Sequence, residues 1–173
     1  MSDKTTMKLY ILCGLPFSGK TTMAKKIAEH TGSKLIAFDQ LWLELEKDAQ
    51  LAPILIGDEG WRLVRRVAKE RIAESLKNSR SVVYDDINVR LEHREELREV
   101  AKQHGIIPVV VYIDTPSVVR EKREKENLLT KRRHDVEPVN SKKALDQFEE
   151  PGPPEQVIVF SSENNLEEWL GKL

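Results

Sequence analysis

Residues 14–22 read Gly-Leu-Pro-Phe-Ser-Gly-Lys-Thr-Thr, two glycines five positions apart followed at once by a lysine and two hydroxyls. This spacing fits GxxxxGK[ST], whose chemistry is the grip of a polyphosphate. Glycines at Gly14 and Gly19 let the backbone turn tightly, so that the amides of Leu15, Phe17, Ser18, Lys20, Thr21 and Thr22, with Pro16 lacking one, can wrap an anion. A helix opening at Lys20 adds its partial positive charge. Lys20 is expected to hold β- and γ-phosphate oxygens as a point charge, and the Thr21 hydroxyl to ligate Mg2+. ATP, with GTP as the alternative, is therefore the expected ligand, together with Mg2+. The competing reading is a glycine turn joining a strand to a helix with no ligand. Cys13, just before the loop, reads as a small buried residue rather than a reactive thiol.

Phosphoryl transfer also needs a group to take or orient the proton of the attacking hydroxyl, and a way to hold the metal. Acids at the ends of apolar runs are the candidates: Asp39 after KLIAF, Asp85 and Asp86 after SVVY, and Asp114 after VVVYI. Asp39 is the candidate proton acceptor, with helix capping as its competing role. Asp85 or Asp86 is expected to hold a metal-bound water or the acceptor, and the sequence does not choose between them. Asp114, followed by Thr-Pro, reads as a turn or cap residue.

The segment 120–133 carries seven Lys or Arg against three Glu. Its lysines read as a solvated helix face. Its arginines suit a lid that reaches a transferring phosphoryl group, because a guanidinium stabilises charge building on those oxygens. Arg120 and Arg123 are the first candidates, followed by Arg132 and Arg133. A second basic stripe, Arg62, Arg65, Arg66 and Lys69, is expected to be a solvated face, the competing reading being contact with an anionic acceptor. His30, His93, His104 and His134 have no metal-ligand spacing.

The elements that must position these groups alternate. Val- and Ile-rich runs at 7–13, 34–38, 81–84, 107–113 and 156–160 suit strands buried on both faces of a parallel sheet. Helical stretches are expected at 20–30, 57–77, 91–104, 116–127 and 141–148, with a last amphipathic segment at 166–173 whose Leu166, Trp169 and Leu170 pack on the sheet. The pattern predicts a doubly wound α/β fold of five parallel strands, helices on both faces and a small helical lid at about 116–140, with ligands beyond the carboxyl ends of the strands. At 173 residues one domain is expected over 1–173. Lys+Arg of 28 against Asp+Glu of 29 argues against a uniformly basic nucleic-acid binder. A single cysteine excludes an intramolecular disulfide and fits a reducing cytoplasm. The first residues lack the apolar length of a signal peptide or membrane span, so no membrane partner is expected.

Taken together, GLPFSGKTT (14–22), Asp39, VVYDDINVRLEHREELREVAKQHGIIPVVVYID (82–114), RHDVEP and QFEEPGPPE (147–155) resemble the AAA_33-type P-loop kinases, akin to the 5'-kinase domain of polynucleotide kinases and to chloramphenicol phosphotransferase. The resemblance implies a five-stranded parallel sheet, Mg-ATP as donor and a hydroxyl acceptor. It gives Asp39 the role of general base, since the acid after the second strand faces the acceptor in small P-loop kinases. It likens Asp85 or Asp86 to the acid that ends the third strand in such folds, puts Asn88 and Arg94 at or near the acceptor pocket with Asp86, and sets the proline-rich loop beside the adenine. The chain departs from the pattern in DDIN, where D-x-Thr-Asn is commoner, and in QLWLELEK, which lacks the arginine that polynucleotide kinases carry shortly after the aspartate.

The expected activity is transfer of the γ-phosphoryl group of ATP to a small-molecule hydroxyl. Two other readings compete: a regulatory module that binds and hydrolyses ATP, which would not need Asp39 paired with a lid arginine, and a polynucleotide 5'-hydroxyl kinase, disfavoured by the near-neutral charge and the missing arginine.

Overall fold

A computed structural model describes residues 7–130 and 138–173. Five strands, β1 (Leu9–Cys13), β2 (Lys34–Ala37), β3 (Val82–Asp85), β4 (Val109–Asp114) and β5 (Gln156–Ser161), form one sheet in the order β2-β3-β1-β4-β5. Every neighbouring pair is parallel. The chain runs from β1 outward to β2 and back to β3, then crosses to β4 on the other side. The order therefore reverses around β1, and the loop leaving β1 sits at the switch point of the sheet.

Alternation along the strands explains the layers. Leu9 and Ile11 point to one face and meet Ile36, Val82 and Tyr84 from the sheet. Above them pack α2 (Phe38–Leu45), α3 (Gly57–Lys77) and α4 (Leu91–Gln103) through Leu41, Leu45, Val64, Ala68, Ile72 and Leu97. Tyr10 and Leu12 point to the other face, where α1 (Lys20–Thr31) and α7 (Leu166–Leu170) cover them with Met23, Ala24, Ile27, Trp169 and Leu170. A strand buried on both sides has no polar face to display, which is why LYILC is apolar throughout. The remaining helices are α5 (Ser117–Thr130) and α6 (Pro138–Asp146).

Three sequence expectations shift. The run 34–38 ends as a strand at Ala37, and Phe38 begins α2, because Phe38, Leu41, Trp42 and Leu45 lie at helical spacing and bury one face. Asp39 therefore stands in the first turn of a helix rather than at the end of a strand. The cap position belongs to Ala37, so Asp39 does not cap that helix either. The run 156–160 forms an edge strand rather than a doubly buried one, with Val159 47% exposed. The helix expected at 141–148 starts earlier, at Pro138, a residue suited to the first turn because it has no N–H to leave unpaired.

Candidate active site

The loop 14–19 is braced from three sides. The Gly14 amide donates to Ile87 O at 3.1 Å, fastening the loop to the segment that follows β3. Thr115 Oγ1 donates to Ser18 O at 2.8 Å, and Arg123 Nη1 to Phe17 O at 2.9 Å, fastening it to the end of β4 and to α5. Lys20 is buried and its Nζ donates to Leu15 O at 2.9 Å. Three of these bonds take up the loop carbonyls of Leu15, Phe17 and Ser18. Gly19 precedes α1 with φ 98°, and no side chain caps that helix. A Cβ at Gly14 would stand 3.0 Å from both Ile113 O and Ser18 Oγ. Ser18 Oγ itself is buried without a hydrogen-bond partner among the described residues. An unpaired buried hydroxyl, an uncapped helix start and a loop too tight for a side chain fit a bound phosphate chain. Thr21, at the first turn of α1, and Asp85, which lines the same cavity, are the residues that would hold Mg2+ there. Among the described residues no group of three or more His, Cys, Asp or Glu is placed to hold a metal by itself, so such an ion would depend on the phosphates for most of its ligands.

Because the loop lies between β3 and β4, cavities open on both sides of it. The first, about 330 Å³, has Lys20 and Thr21 as its floor, Asp85 and Asp86 from the end of β3, Phe38, Asp39 and Trp42 from α2, Trp61 and Arg65 from α3, and Asn140 and Ala144 from α6. The second, about 840 Å³, lies on the β4 side between Gly19, Thr22 and Lys26 on one wall and Asp114, Arg123, Phe160 and Ser161 on the others. Lys20 and Asp39, 19 positions apart in sequence, share the first cavity.

Both Asp85 and Asp86 are buried and both line that cavity. Asp86 is held by Arg65 Nε at 3.2 Å, the Tyr84 hydroxyl at 3.3 Å and the Ile87 amide at 2.7 Å. Burial, reinforced by Asp86, pushes the Tyr84 hydroxyl well above its usual range, so Tyr84 remains the donor. His93 Nε2 lies 3.4 Å from Arg65 Nη1, and burial together with the Arg65 charge holds the imidazole below its ordinary range. Arg65 leaves its stripe at this point. Arg62 turns back to Asp58 O at 3.3 Å and Lys69 pairs with Glu96 at 2.6 Å on the outside, whereas Arg65 lines the cavity.

Asn88 and Arg94 line neither cavity. Asn88 adopts φ 44°, a conformation asparagine tolerates, and its Nδ2 donates to Leu12 O at 2.8 Å, holding the post-β3 loop against the end of β1. Arg94, 1% exposed, faces inward from α4 and forms a two-pronged pair with Glu155, Nε to Oε1 at 2.8 Å and Nη2 to Oε2 at 3.1 Å. Its Nη1 donates to Asn88 O at 2.9 Å and Val89 O at 3.2 Å. Both residues brace the scaffold next to Ile87, which lines the first cavity, and so lie near that cavity without lining it. Arg123 reaches the phosphate loop, while Arg120 Nε folds back on Thr115 O at 3.2 Å and lines neither cavity. Arg132 and Arg133 lie outside the described residues, as does His134. Asp114 ends β4 and borders the second cavity.

Sequence reasoning passed over Glu155 and the aromatic wall of Phe38, Trp42 and Trp61. Glu155 sits 61 residues from its partner, and nothing local marks it. The aromatic wall had a signal in the i,i+4 pairs Phe38/Trp42 and Trp61/Arg65, which align side chains on one helix face.

Comparison with known proteins identifies the fold and the family. L-seryl-tRNA(Sec) kinase of Methanococcus maripaludis is 29% identical over 123 residues, covering 68% of this chain but 45% of that protein, so the chain spans about half the length of this relative. Chaetomium thermophilum Kti12, solved with ADP-AlF3, superposes with a TM-score of 0.74 at 19% identity over 95% of this chain and 96% of that one. An unliganded sugar kinase from Janibacter superposes with a TM-score of 0.70 at 20% identity over 96% and 91%. These likenesses show the P-loop kinase fold. The family model described as an AAA domain, AAA_33, matches residues 9–151, from the first residue of β1 through the braced phosphate loop to the proline-rich segment before Glu155, and the chain belongs to that family.

Proposed function

We propose that this chain is an ATP-dependent kinase that transfers the γ-phosphoryl group to the hydroxyl of a small molecule. One observation carries the reading: the lysine and threonine of the phosphate loop and the carboxylates Asp39 and Asp85 line a single cavity. Asp85 would serve a nucleotide switch as well, since such a protein also holds Mg2+ through a strand-end carboxylate, whereas a second carboxylate, Asp39, in the same cavity as Lys20 is what an acceptor hydroxyl needs. The name of the archaeal relative, L-seryl-tRNA(Sec) kinase, is that of an enzyme phosphorylating a hydroxyl. A net charge of −1 gives no support to a polynucleotide acceptor.

In this reading the acceptor hydroxyl attacks the γ-phosphorus in line, a new P–O bond forms, the bond to the β-phosphate oxygen breaks, and ADP leaves. Asp39 takes the hydroxyl proton on a carboxylate oxygen. Lys20 neutralises charge on the β- and γ-oxygens, and Arg123, already seated on the phosphate loop, is preferred over Arg120 as the stabilising guanidinium. Thr21 and Asp85 would hold Mg2+, which when bound would supply charge neutralisation at the phosphates. The second cavity suits the adenosine end of the donor.

The test is nucleotide binding and acceptor-dependent ADP release with two variants. Lys20→Ala should weaken ATP binding and abolish transfer. Asp39→Asn should keep ATP affinity and lose transfer by roughly 10²-fold or more, the scale of general-base catalysis. Unchanged turnover in a folded Lys20→Ala protein refutes the kinase reading, and unchanged turnover in Asp39→Asn removes Asp39 from the chemistry.

A further inference from the structure

Arg65 stands apart from the other basic residues around it. Arg62 turns back to Asp58 O and Lys69 pairs with Glu96 on the outside, whereas Arg65 lies on the wall of the 330 Å³ cavity, where Lys20 is the other basic residue. Lys143 comes near this wall, 5.4 Å from the Trp61 ring centre, but it pairs with Asp58 at 3.2 Å, its side chain is 44% exposed, and it does not line the cavity. Lys20 belongs to the phosphate loop. Among the described residues, Arg65 is therefore the cation that belongs to the acceptor side of the cavity.

Its guanidinium is held on most of its edges. Nε donates to Asp86 Oδ2 at 3.2 Å and Nη1 lies 3.4 Å from His93 Nε2. The central carbon lies 5.7 Å from the Phe38 ring centre and 6.0 Å from that of Trp61, within the reach at which a ring face attracts a cation. Asp86 is fixed in its turn. The Tyr84 hydroxyl donates to its Oδ2 at 3.3 Å and the Ile87 amide to its Oδ1 at 2.7 Å, while the Ile87 carbonyl accepts the Gly14 amide of the phosphate loop at 3.1 Å. The Asp86 side chain is 7% exposed and both of its oxygens are engaged, which is the bonding of a part of the scaffold. Arg65 Nη2, by contrast, has no hydrogen-bond partner among the described residues. A planar donor locked on its other edges, with one nitrogen unused, is preorganised for a ligand oxygen, because little side-chain freedom is left to lose on binding.

We infer that Arg65 is the specificity-determining residue of the acceptor cavity, its Nη2 donating to an oxygen of the acceptor other than the reacting hydroxyl, and that Asp86 is a positioning residue that holds Arg65 for that contact. The inference rests on the kinase reading and adds to it a second oxygen on the acceptor. That oxygen can belong to an anionic group or to a neutral hydroxyl, and the arms of the test separate the two.

ADP release by the full chain with Mg-ATP would be measured with a free hexose, a sugar acid, a sugar phosphate and cyclohexanol, a ring alcohol with no second oxygen. At least one of the first three should show kcat/KM about tenfold or more above cyclohexanol. Arg65→Met should raise KM for that compound about tenfold or more, the scale of one charge-assisted hydrogen bond, while the Kd of ATP moves less than about threefold, because the bonds from Asp86 through Ile87 to Gly14 remain. Arg65→Lys should recover most of the loss where the gripped oxygen is anionic and charge suffices, and little of it where the oxygen is neutral and the planar fork is needed. Asp86→Asn should raise the same KM with a smaller effect on kcat and an unchanged Mg2+ requirement. A fall in its kcat of roughly 10²-fold with a raised Mg2+ requirement would put Asp86 on the metal and overturn the positioning role. An acceptor KM untouched in Arg65→Met, or cyclohexanol serving as well as the oxygen-rich compounds, overturns the inference while the kinase reading stands. Should Arg65→Met fail to fold by circular dichroism, Asp86→Asn carries the same readout, and an unchanged acceptor KM there overturns the inference. A chain that binds ATP but transfers to none of the oxygen-rich compounds also overturns it, and leaves the kinase reading to the Lys20 and Asp39 variants. A chain that fails to bind ATP refutes the kinase reading itself.

Discussion

Removing the Glu155 carboxylate should be among the most damaging single changes outside the phosphate loop. Its partner Arg94 is 1% exposed, and the side chains of the pair are 1% and 2% exposed, so water cannot replace either prong. In Glu155→Ala the guanidinium would keep its bonds to Asn88 O and Val89 O but lose both bonds to carboxylate oxygens and remain as a buried, uncompensated charge. Breaking such a pair from one side costs about 3–5 kcal/mol, a large share of the roughly 5–15 kcal/mol that holds a domain together. With an unfolding entropy of about 2.1 cal/mol/K for each of 173 residues, the loss corresponds to a fall in Tm of about 8–14 °C. Thermal unfolding followed by circular dichroism, with urea midpoints as a second measure, would read it. Glu96→Ala, which breaks the outer pair with Lys69, is the control, and should change stability by less than about 1 kcal/mol because Glu96 is 43% exposed. Arg94→Met/Glu155→Leu should be less destabilised than Glu155→Ala, since the buried charge is gone, Asn88 O and Val89 O still accept from Cys13 Sγ at 3.3 Å and from the Glu149 amide at 2.8 Å, and the Gly152 amide that loses Glu155 as its acceptor is unpaired in both variants. ATP affinity should also fall in Glu155→Ala. Arg94 braces the loop whose Ile87 carbonyl accepts the Gly14 amide, so loosening one end loosens the other. A fall in Tm below about 3 °C would refute the reasoning and mean that the site repacks or admits water.

Two further outcomes follow from groups around the phosphate loop. Burial pushes the Cys13 thiol up to about 12, against an ordinary 9.0, so at pH 8 a thiol-alkylating reagent should label the native protein far more slowly than the urea-unfolded chain, and equal rates would show that β1 opens. Between about pH 9 and 12 the unfolded chain has lost this proton and the folded chain keeps it, so the unfolded state binds fewer protons and stability should fall as pH rises, an effect that Cys13→Ala should flatten in pH-dependent urea melts. The helix α5 buries none of its residues and exposes Leu129 by 86%, so little holds it without ligand apart from contacts such as Arg123 to the phosphate loop. Hydrogen exchange over 117–130 should therefore slow with Mg2+ and a nonhydrolysable ATP analogue, and equal, high protection with and without them would make α5 a fixed element and its arginines ordinary surface charge.

The phosphate loop, the alternation of strands and helices and the carboxylates after the strands are all legible in the sequence, because each depends on neighbours within a few positions. Glycines five apart before a lysine constrain a local backbone path, and a continuous apolar run reports burial on both faces. The boundaries of α3 at 57 and 77 follow from its own periodicity and hold to the residue. What the sequence leaves open depends on groups brought together across the sheet. Asp39 reads as the end of a strand until α2 packs on α3 and turns Phe38 and Trp42 toward the same space as Trp61. The resemblance puts Arg94 at or near the acceptor pocket, and only the fold delivers Glu155 to it from 61 positions away. Arg65 looks like its neighbours Arg62 and Arg66 on one basic stripe, and only the position of Asp86 at the end of β3 singles it out. Ion pairs and cavity walls are set by distances between elements, and such distances exist only once the chain has folded, so the donor side of this site was written locally and its acceptor side was decided by tertiary packing.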